Sequence, residues 1–390
     1  MISVADALAQ LFALVSPLAP EDVALTQANG RVLAQDVHAT RNQPPFAASA
    51  MDGYAVHAQA IKPGQSFDVI GEAAAGHRWE GTVGPGQTVR IFTGAPLPAG
   101  TDHVIIQENI TRDGDVITLD DSANDNPCVR PAGADFRTGD TVKAPRTLTP
   151  SDIALLAAMN IATVPVTRQP VVAIIATGDE LVQPGETPGE DQIIASNSYG
   201  LAALVQTLGA TARLLPIARD NVASLELAFD LAADADLIVT IGGASVGDHD
   251  LVGDVAQAKG MQRSFYKVAM RPGKPLMAGR MGHAAMIGLP GNPVSAMVCG
   301  HIFLAPVIRK MLGLGTHPAP RETLLLAQDI KANGPREHYM RAHAGPDGVT
   351  IFDRQDSALL TVLADANCLA VRPINDPERK RGTPIDIIRL

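Results

Sequence analysis

LIVTIGGASVGDHD, residues 237–250, is the stretch from which the fold is read. A five-residue apolar run, rich in β-branched side chains, ends in Gly242-Gly243. Ser245, Asp248 and Asp250 then crowd the same turn. That is the layout of a buried strand ending in a ligand loop. Glycine lets backbone N–H groups approach an anion, and a following helix N-terminus adds positive potential. VVAIIATGDEL, residues 171–181, has the same layout. Around these two strands the periodicity alternates. It predicts helices near Ser198–Leu208, Val222–Ala233, Asp250–Ala258 and Pro293–Phe303, and further strands near 212–217 and Met286–Leu289. Unbroken apolar strands alternating with helices predict a doubly wound parallel α/β domain over residues 170–315, with ligands beyond the carboxyl ends of its strands. The glycine loop has neither the Lys-Ser/Thr pair of a Walker sequence nor the spacing GxGxxG.

Working outward, the N-terminus reads as folded protein. Ser3 caps a helix, Asp6 stands at the capping-box position, and Val4, Leu8, Leu11, Phe12 and Val15 recur at helical spacing. A second capped helix begins at Thr149-Pro150, with Asp152 at its box position and Asn160 placed to close it. Packing of these two helices would make residues 1–45 and 140–169 one discontinuous domain. Residues 46–139, with recurrent Gly and Pro between short apolar runs, would be a β-rich insertion. After His317-Pro318-Ala319-Pro320, residues 318–390 read as a small β-barrel or sandwich.

The bulk numbers exclude some classes. The chain has 390 residues, 46% hydrophobic and 18% charged, with a formal net charge of −10. That is a globular composition, and it argues against a nucleic-acid partner. No apolar run is long enough for a membrane span, and the N-terminus lacks a basic signal region. Three dispersed cysteines give no zinc or redox spacing, and a reducing, cytoplasmic setting is the expectation.

Three further motifs carry chemistry. Lys267, Arg271 and Lys274 fall close together around Arg271-Pro272-Gly273-Lys274-Pro275. They read either as a solvated basic surface or as a stiff cationic cradle for an oxyanion. Leu289-Pro290-Gly291-Asn292-Pro293-Val294-Ser295 reads as a helix start capped by Asn292, or as an anion or heterocycle seat at that helix end. Glu180 and Asp250, each at a strand end, are a candidate pair for one hard divalent cation.

Taken in order, these segments resemble the molybdopterin molybdenumtransferase family, MoeA, also found as the C-terminal part of gephyrin. The resemblance runs over nearly the whole chain. It includes PPFAASAMDGYAV (44–56), FTGAPLPAGTDHVIIQE (92–108), GADFRTGD (133–140), TGDEL (177–181) and IARDN (217–221). GGASVGDHD (242–250), KVAMRPGKPL (267–276) and LPGNPVSA (289–296) complete it. The third domain alone would match MoaB/MogA-type adenylyltransferases as well. The resemblance implies insertion of molybdenum from molybdate into the dithiolene of adenylylated molybdopterin, with release of AMP. By the same resemblance Glu180 and Asp250 would hold Mg²⁺. Gly242, Gly243, Ser245 and Gly247 would cradle the nucleotide, beside Pro290, Gly291, Asn292, Pro293 and Ser295. Arg271, Lys274, Pro275, Arg336 and Ser357 would surround the molybdate near Lys267, with Arg341 and Thr361 as alternatives in the last domain. Asp52, Thr93, Asp135 and Asp220 match further positions important for activity. Arg271 stands where lysine is common in the family. The resemblance also implies a homodimer whose active site is shared between subunits, and a MogA-like adenylyltransferase as a candidate partner. An adenylyltransferase, a non-catalytic scaffold and a tungstate enzyme remain as alternatives at this point.

Overall fold

A computed structural model of the chain describes residues 1–122, 126–243 and 251–390. The chain forms two compact units. One comprises Met1–Glu21, Gly30–Ala34 and Val166–Leu390, and the other comprises Asp22–Asn29 and Gln35–Pro165.

The larger unit is built on a six-stranded sheet. Its strand order is Thr211–Leu214, Val171–Ala176, Leu237–Ile241, Ala284–Leu289, Met277–Met281, Gln262–Tyr266. Successive side chains of a strand point to opposite faces, so an unbroken apolar run implies cover on both sides. That is what is found. Ile174, Val239 and Ile287 pack with Leu201, Val205 and Val298 on one face. Ala173, Ile175, Ile238 and Met286 pack with Leu225, Phe229, Val252 and Val255 on the other.

The sheet is mixed, which corrects the expectation of a wholly parallel one. Four strands are parallel. Met277–Met281 then runs antiparallel to Ala284–Leu289, and Gln262–Tyr266 antiparallel to Met277–Met281. The cause is the two-residue connection Gly282-His283. Gly282, at φ 60, supplies the left-handed residue that a tight hairpin needs. Small residues in MAGRM (277–281) hid this strand from the periodicity.

The first helix, Val4–Leu14, is closed by the expected capping box of Ser3 and Asp6. Its Leu8 and Leu11 lie in the core with Val307, Ile308 and Met311, against the α/β sheet. The last turn of Val4–Leu14 has no basic residue of its own. Arg280 donates to the Leu14 carbonyl and Lys310 to that of Phe12, each at 2.7 Å. These bonds satisfy carbonyls that every helix end leaves open.

Residues beyond Glu322 add a second sheet to the same unit. Glu337–Gly345, Cys368–Arg372, Pro384–Arg389 and Glu322–Leu325 pair in that order, all antiparallel. Gly348–Ile351 pairs with Glu337–Gly345, and its Val349 bridges to Leu326, so the strands form a circuit. The short strand Met270–Arg271 joins this sheet in parallel, with Arg271 opposite His338. The cation-rich loop is thereby tied to the C-terminal strands.

The other unit holds a six-stranded sheet in the order His103–Ile106, Gly53–Val56, Gln87–Ile91, Ser66–Ala73, Val116–Leu119, Ile110–Asp113. Its helix Pro150–Ala158 has the capping box of Thr149 and Asp152, and Asn160 is left-handed at φ 64.

Among the described residues one helix, Pro293–Met311, is long and apolar enough to cross a membrane, and 72% of it is buried inside the protein. It is a core helix of the α/β body.

One ion pair anchors the entry to the central sheet. Arg168 donates to Asp236 through two nitrogens at 2.9 and 2.6 Å, and the Val171 N–H adds a third bond at 2.8 Å. Burial raises the Asp236 pKa, but the Arg168 bond, the Val171 bond and the Arg168 charge outweigh it and hold it below its ordinary value. A lowered carboxylate pKa stabilises the fold above its unfolded value, and that stability is lost as pH falls through the folded one. Asp236→Asn should therefore cost about 1–2 kcal/mol at neutral pH. The difference from the parent should shrink as pH falls below about 3.9. Urea unfolding across pH measures it.

Candidate functional site

Four loops leave the carboxyl ends of the four parallel strands and meet in one cleft of about 960 Å³. Thr177–Leu181 follows the first strand, Asp220 lies beyond the second, Gly242-Gly243 follows the third, and Pro290–Pro293 follows the fourth. This is where an open α/β sheet binds its ligands.

Glycine is required at two of these turns. Gly178 has φ 148, and a Cβ there would stand 2.3 Å from the Glu180 carboxylate. Gly243 has φ 67, and a Cβ there would meet Val252 Cγ2 at 2.1 Å. Each loop therefore needs glycine for its conformation, and at Gly243 for space as well.

Two helix N-termini open onto the cleft. Ser196–Thr207 begins at Ala195 and has no side-chain cap. Pro293–Cys299 begins at Asn292, whose side chain also makes no capping bond. This departs from the expected Asn292 cap. Its Nδ2 instead donates to Ser357 Oγ at 3.0 Å, and Val294 N donates to the Ser357 carbonyl at 3.0 Å. The start of Ser196–Thr207, with no side-chain cap, makes the cleft receptive to phosphate, whereas at the other helix start Pro293 has no N–H and the Val294 N–H is already taken.

Glu180, Asp220, Asp254, Gly242, Gly243, Pro275 and Pro290–Pro293 all line the cleft. Ser295 is buried in the first turn of its helix. Arg219 fixes the acidic loop, donating to the carbonyls of Asp179 at 2.9 Å and Leu181 at 3.2 Å. The Asp220 N–H donates to Asp179 Oδ1 at 3.2 Å. Ser245, Gly247 and Asp250 lie outside the described residues. Thr361 stands in the short helix Leu360–Asp365.

Lys267, Arg271 and Lys274 lie on the segment that runs into Pro275. Lys267 is left-handed at φ 68, with its ammonium 4.8 Å from the Tyr266 ring centre. Bonds from Lys267 N to Leu276 O and from Val268 N to Lys274 O close the loop. Arg271 is exposed at its turn, and Lys274 is half-buried. His338, opposite Arg271, is pushed down to about 3 by burial and then by the charges of Arg271, Arg341, Arg372 and Arg336. Arg336 therefore shares this cationic neighbourhood.

Asp52, Thr93 and Asp135 belong to the other unit. There Asp52 Oδ1 accepts from both Thr93 N at 2.8 Å and Thr93 Oγ1 at 2.7 Å. These two bonds hold the Asp52 carboxyl below its ordinary pKa. Asp135 is exposed, and its N–H donates to the Gln43 carbonyl at 2.9 Å.

Comparison with known proteins decides the family. Residues 2–160 match the MoeA N-terminal region (domain I and II). Residues 173–310 match the "probable molybdopterin binding domain", and residues 323–390 match the MoeA C-terminal region (domain IV). The molybdopterin molybdenumtransferase of Nostoc sp. is 36% identical over 410 residues, covering 100% of this chain and 94% of that protein. That of Haemophilus influenzae is 35% identical over 375 residues, covering 94% and 91%. The chain belongs to the MoeA family of molybdopterin molybdenumtransferases. The crystal structure of the molybdopterin biosynthesis MoeA protein of Pyrococcus horikosii agrees with a TM-score of 0.87. It is 27% identical and covers 100% of this chain and 99% of that one.

Sequence reasoning within the MoeA family passed over several residues of the cleft. Asn197 Nδ2 donates to the Gly291 carbonyl at 2.7 Å and pins the Pro290–Pro293 loop to a neighbouring helix start. Ser196-Asn197-Ser198 directly before a helix was the signal available for it. Arg219 had no such signal, because the carbonyls it bonds to are brought to it by the tertiary fold.

Proposed function

We propose that this chain transfers molybdenum from molybdate to the dithiolene of adenylylated molybdopterin and releases AMP. One observation carries the reading. A cleft with the uncapped start of Ser196–Thr207 and carboxylates on one rim meets, at Pro275, a loop carrying Lys267, Arg271 and Lys274. A phosphate-bearing substrate suits the helix start, and a tetrahedral dianion suits the cationic loop.

Gly242 and Gly243 bring bare backbone to the nucleotide. Asn292, held by Ser357, orients the loop that carries its neighbours. Lys274, Arg271 and Arg336 hold the oxyanion beside the dithiolene, and Pro275 separates the two seats. Oxyanion shape and charge are the same for tungstate, so both fit this cradle. The donor set also fits Mg²⁺. Glu180 and Asp220 offer hard oxygen ligands at one rim, phosphate and water can complete the shell, and Asp250 is a further candidate. When bound, the cation would stabilise negative charge on the departing phosphate.

The rest of the reading is architectural. Residues 1–45 with 140–169, 46–139, 170–315 and 318–390 are taken as the four domains, the last a small β-barrel. The chain acts as a cytoplasmic homodimer in which Asp52, Thr93 and Asp135 of one copy serve the cleft of the other. A MogA-like adenylyltransferase supplies the adenylate. Light scattering should give twice 40.8 kDa, and a monomeric mass would remove the shared site.

The direction of chemistry tests the assignment. Given adenylylated molybdopterin and molybdate, the protein should release AMP. Given molybdopterin and ATP, it should form no adenylate. The opposite pattern would make it an adenylyltransferase.

A further inference from the structure

Arg90 lies on the strand Gln87–Ile91, just before Thr93 and directly opposite Tyr54 in the antiparallel pair with Gly53–Val56. Its guanidinium carbon stands 4.9 Å from the Tyr54 ring centre and 5.0 Å from that of Phe92. Each ring face attracts the cation, and a flat guanidinium held over two of them keeps little freedom.

Its polar edge is engaged as well. Nη2 donates to Gln107 Oε1 at 2.5 Å, and Nη1 reaches the Gly53 carbonyl at 3.4 Å. The Gln107 N–H in turn donates to the Asp52 carbonyl at 3.2 Å.

These contacts fall on both sides of one functional pair. Gly53 and Tyr54 directly follow Asp52, and Phe92 directly precedes Thr93. Asp52 Oδ1 accepts from Thr93 N and Thr93 Oγ1. Arg90 therefore grips both strands at the point where the carboxylate meets the hydroxyl. The Asp52 carboxyl is held below its ordinary pKa first by the two Thr93 bonds and then, against burial, by the charge of Arg90. A flexible apolar side chain such as methionine could cover the same two rings, so packing alone does not call for a guanidinium here.

We propose that Arg90 is a positioning residue for the transferase reaction, clamping Gly53-Tyr54 and Phe92 so that Asp52 and Thr93 keep the one arrangement that serves the cleft. This rests on the reading in which Asp52 and Thr93 of one copy act at the cleft of the other. Arg90 touches no reacting atom and acts through that pair.

A double-mutant cycle on single-turnover AMP release, with melting curves beside it, tests this. Arg90→Met keeps cover over the rings and removes the charge and the fork. It should slow release by about tenfold or more, because a small misplacement of an active group costs that much. Arg90→Lys keeps the charge without the planar fork and should fall between Arg90→Met and the parent. The deciding comparison is with Asp52→Asn. Arg90→Met with Asp52→Asn should be no slower than Asp52→Asn alone, because the carboxylate through which Arg90 acts is already gone. Thr93→Ser, a milder lesion of the same pair, supplies the second arm if Asp52→Asn is too slow to measure, and Arg90→Lys enters the cycle if Arg90→Met does not fold. A residue that only supports the fold gives a lower melting temperature and the same fold-loss in both backgrounds, and that result would overturn the proposal. Parental release in Arg90→Met and Arg90→Lys would overturn it too, while leaving the transferase reading intact. Parental release in Asp52→Asn would remove Asp52 from the reaction, and the proposal would fall with it.

Discussion

Glu180→Ala should reduce AMP release by at least about a hundredfold while leaving the fold intact. The side chain is exposed on the rim of the cleft, so its loss removes no core packing. Its carboxylate lies over Gly178 and faces the same space as Asp220. The loop beneath is fixed independently by Arg219, whose bonds go to backbone carbonyls. The lesion should therefore be chemical. Glu180→Gln keeps the shape and removes the charge, and it should be nearly as inactive. The check is AMP release over a Mg²⁺ titration, beside a melting curve. A parental Mg²⁺ response in either variant would remove Glu180 from the cation site.

Removing one charge from the cationic loop should raise the molybdate concentration needed for half-maximal turnover. A charge-assisted hydrogen bond contributes about 1.5–3 kcal/mol, on the order of ten- to a hundredfold in affinity. Lys274→Ala and Arg271→Ala should each show a shift of that size. Arg271→Lys should be mild, because the charge stays at the same turn. Affinity for the adenylate should change little in all three, since the helix start that receives it is untouched. An unchanged molybdate dependence in both alanine variants would contradict the cradle.

The sequence carried the fold wherever a rule was local. Ser3 with Asp6 and Thr149 with Asp152 are complete capping boxes within four residues, and both formed. The apolar run 237–241 is bounded by turn residues and became a strand over the same span. Long-range pairing was harder to see. Antiparallel pairing of Gly53–Val56 with Gln87–Ile91 brings Asp52 to Thr93, two candidates that the sequence named but could not join. Asn292 looked like a cap because its local pattern is a cap pattern. Its bond to Ser357 depends on a segment 65 residues away. Arg341 appeared only as an alternative to Arg336, because nothing in a single strand tells a buried guanidinium from an exposed one.

The measurement closest to the central claim is a single turnover under anaerobic conditions. Enzyme, adenylylated molybdopterin and Mg²⁺ are mixed with molybdate, and AMP and pterin-bound molybdenum are counted from the same quench. The account predicts AMP and molybdenum in a one-to-one ratio, with both reduced by Lys274→Ala and by Glu180→Ala. AMP release at full rate with no molybdenum on the pterin would contradict it.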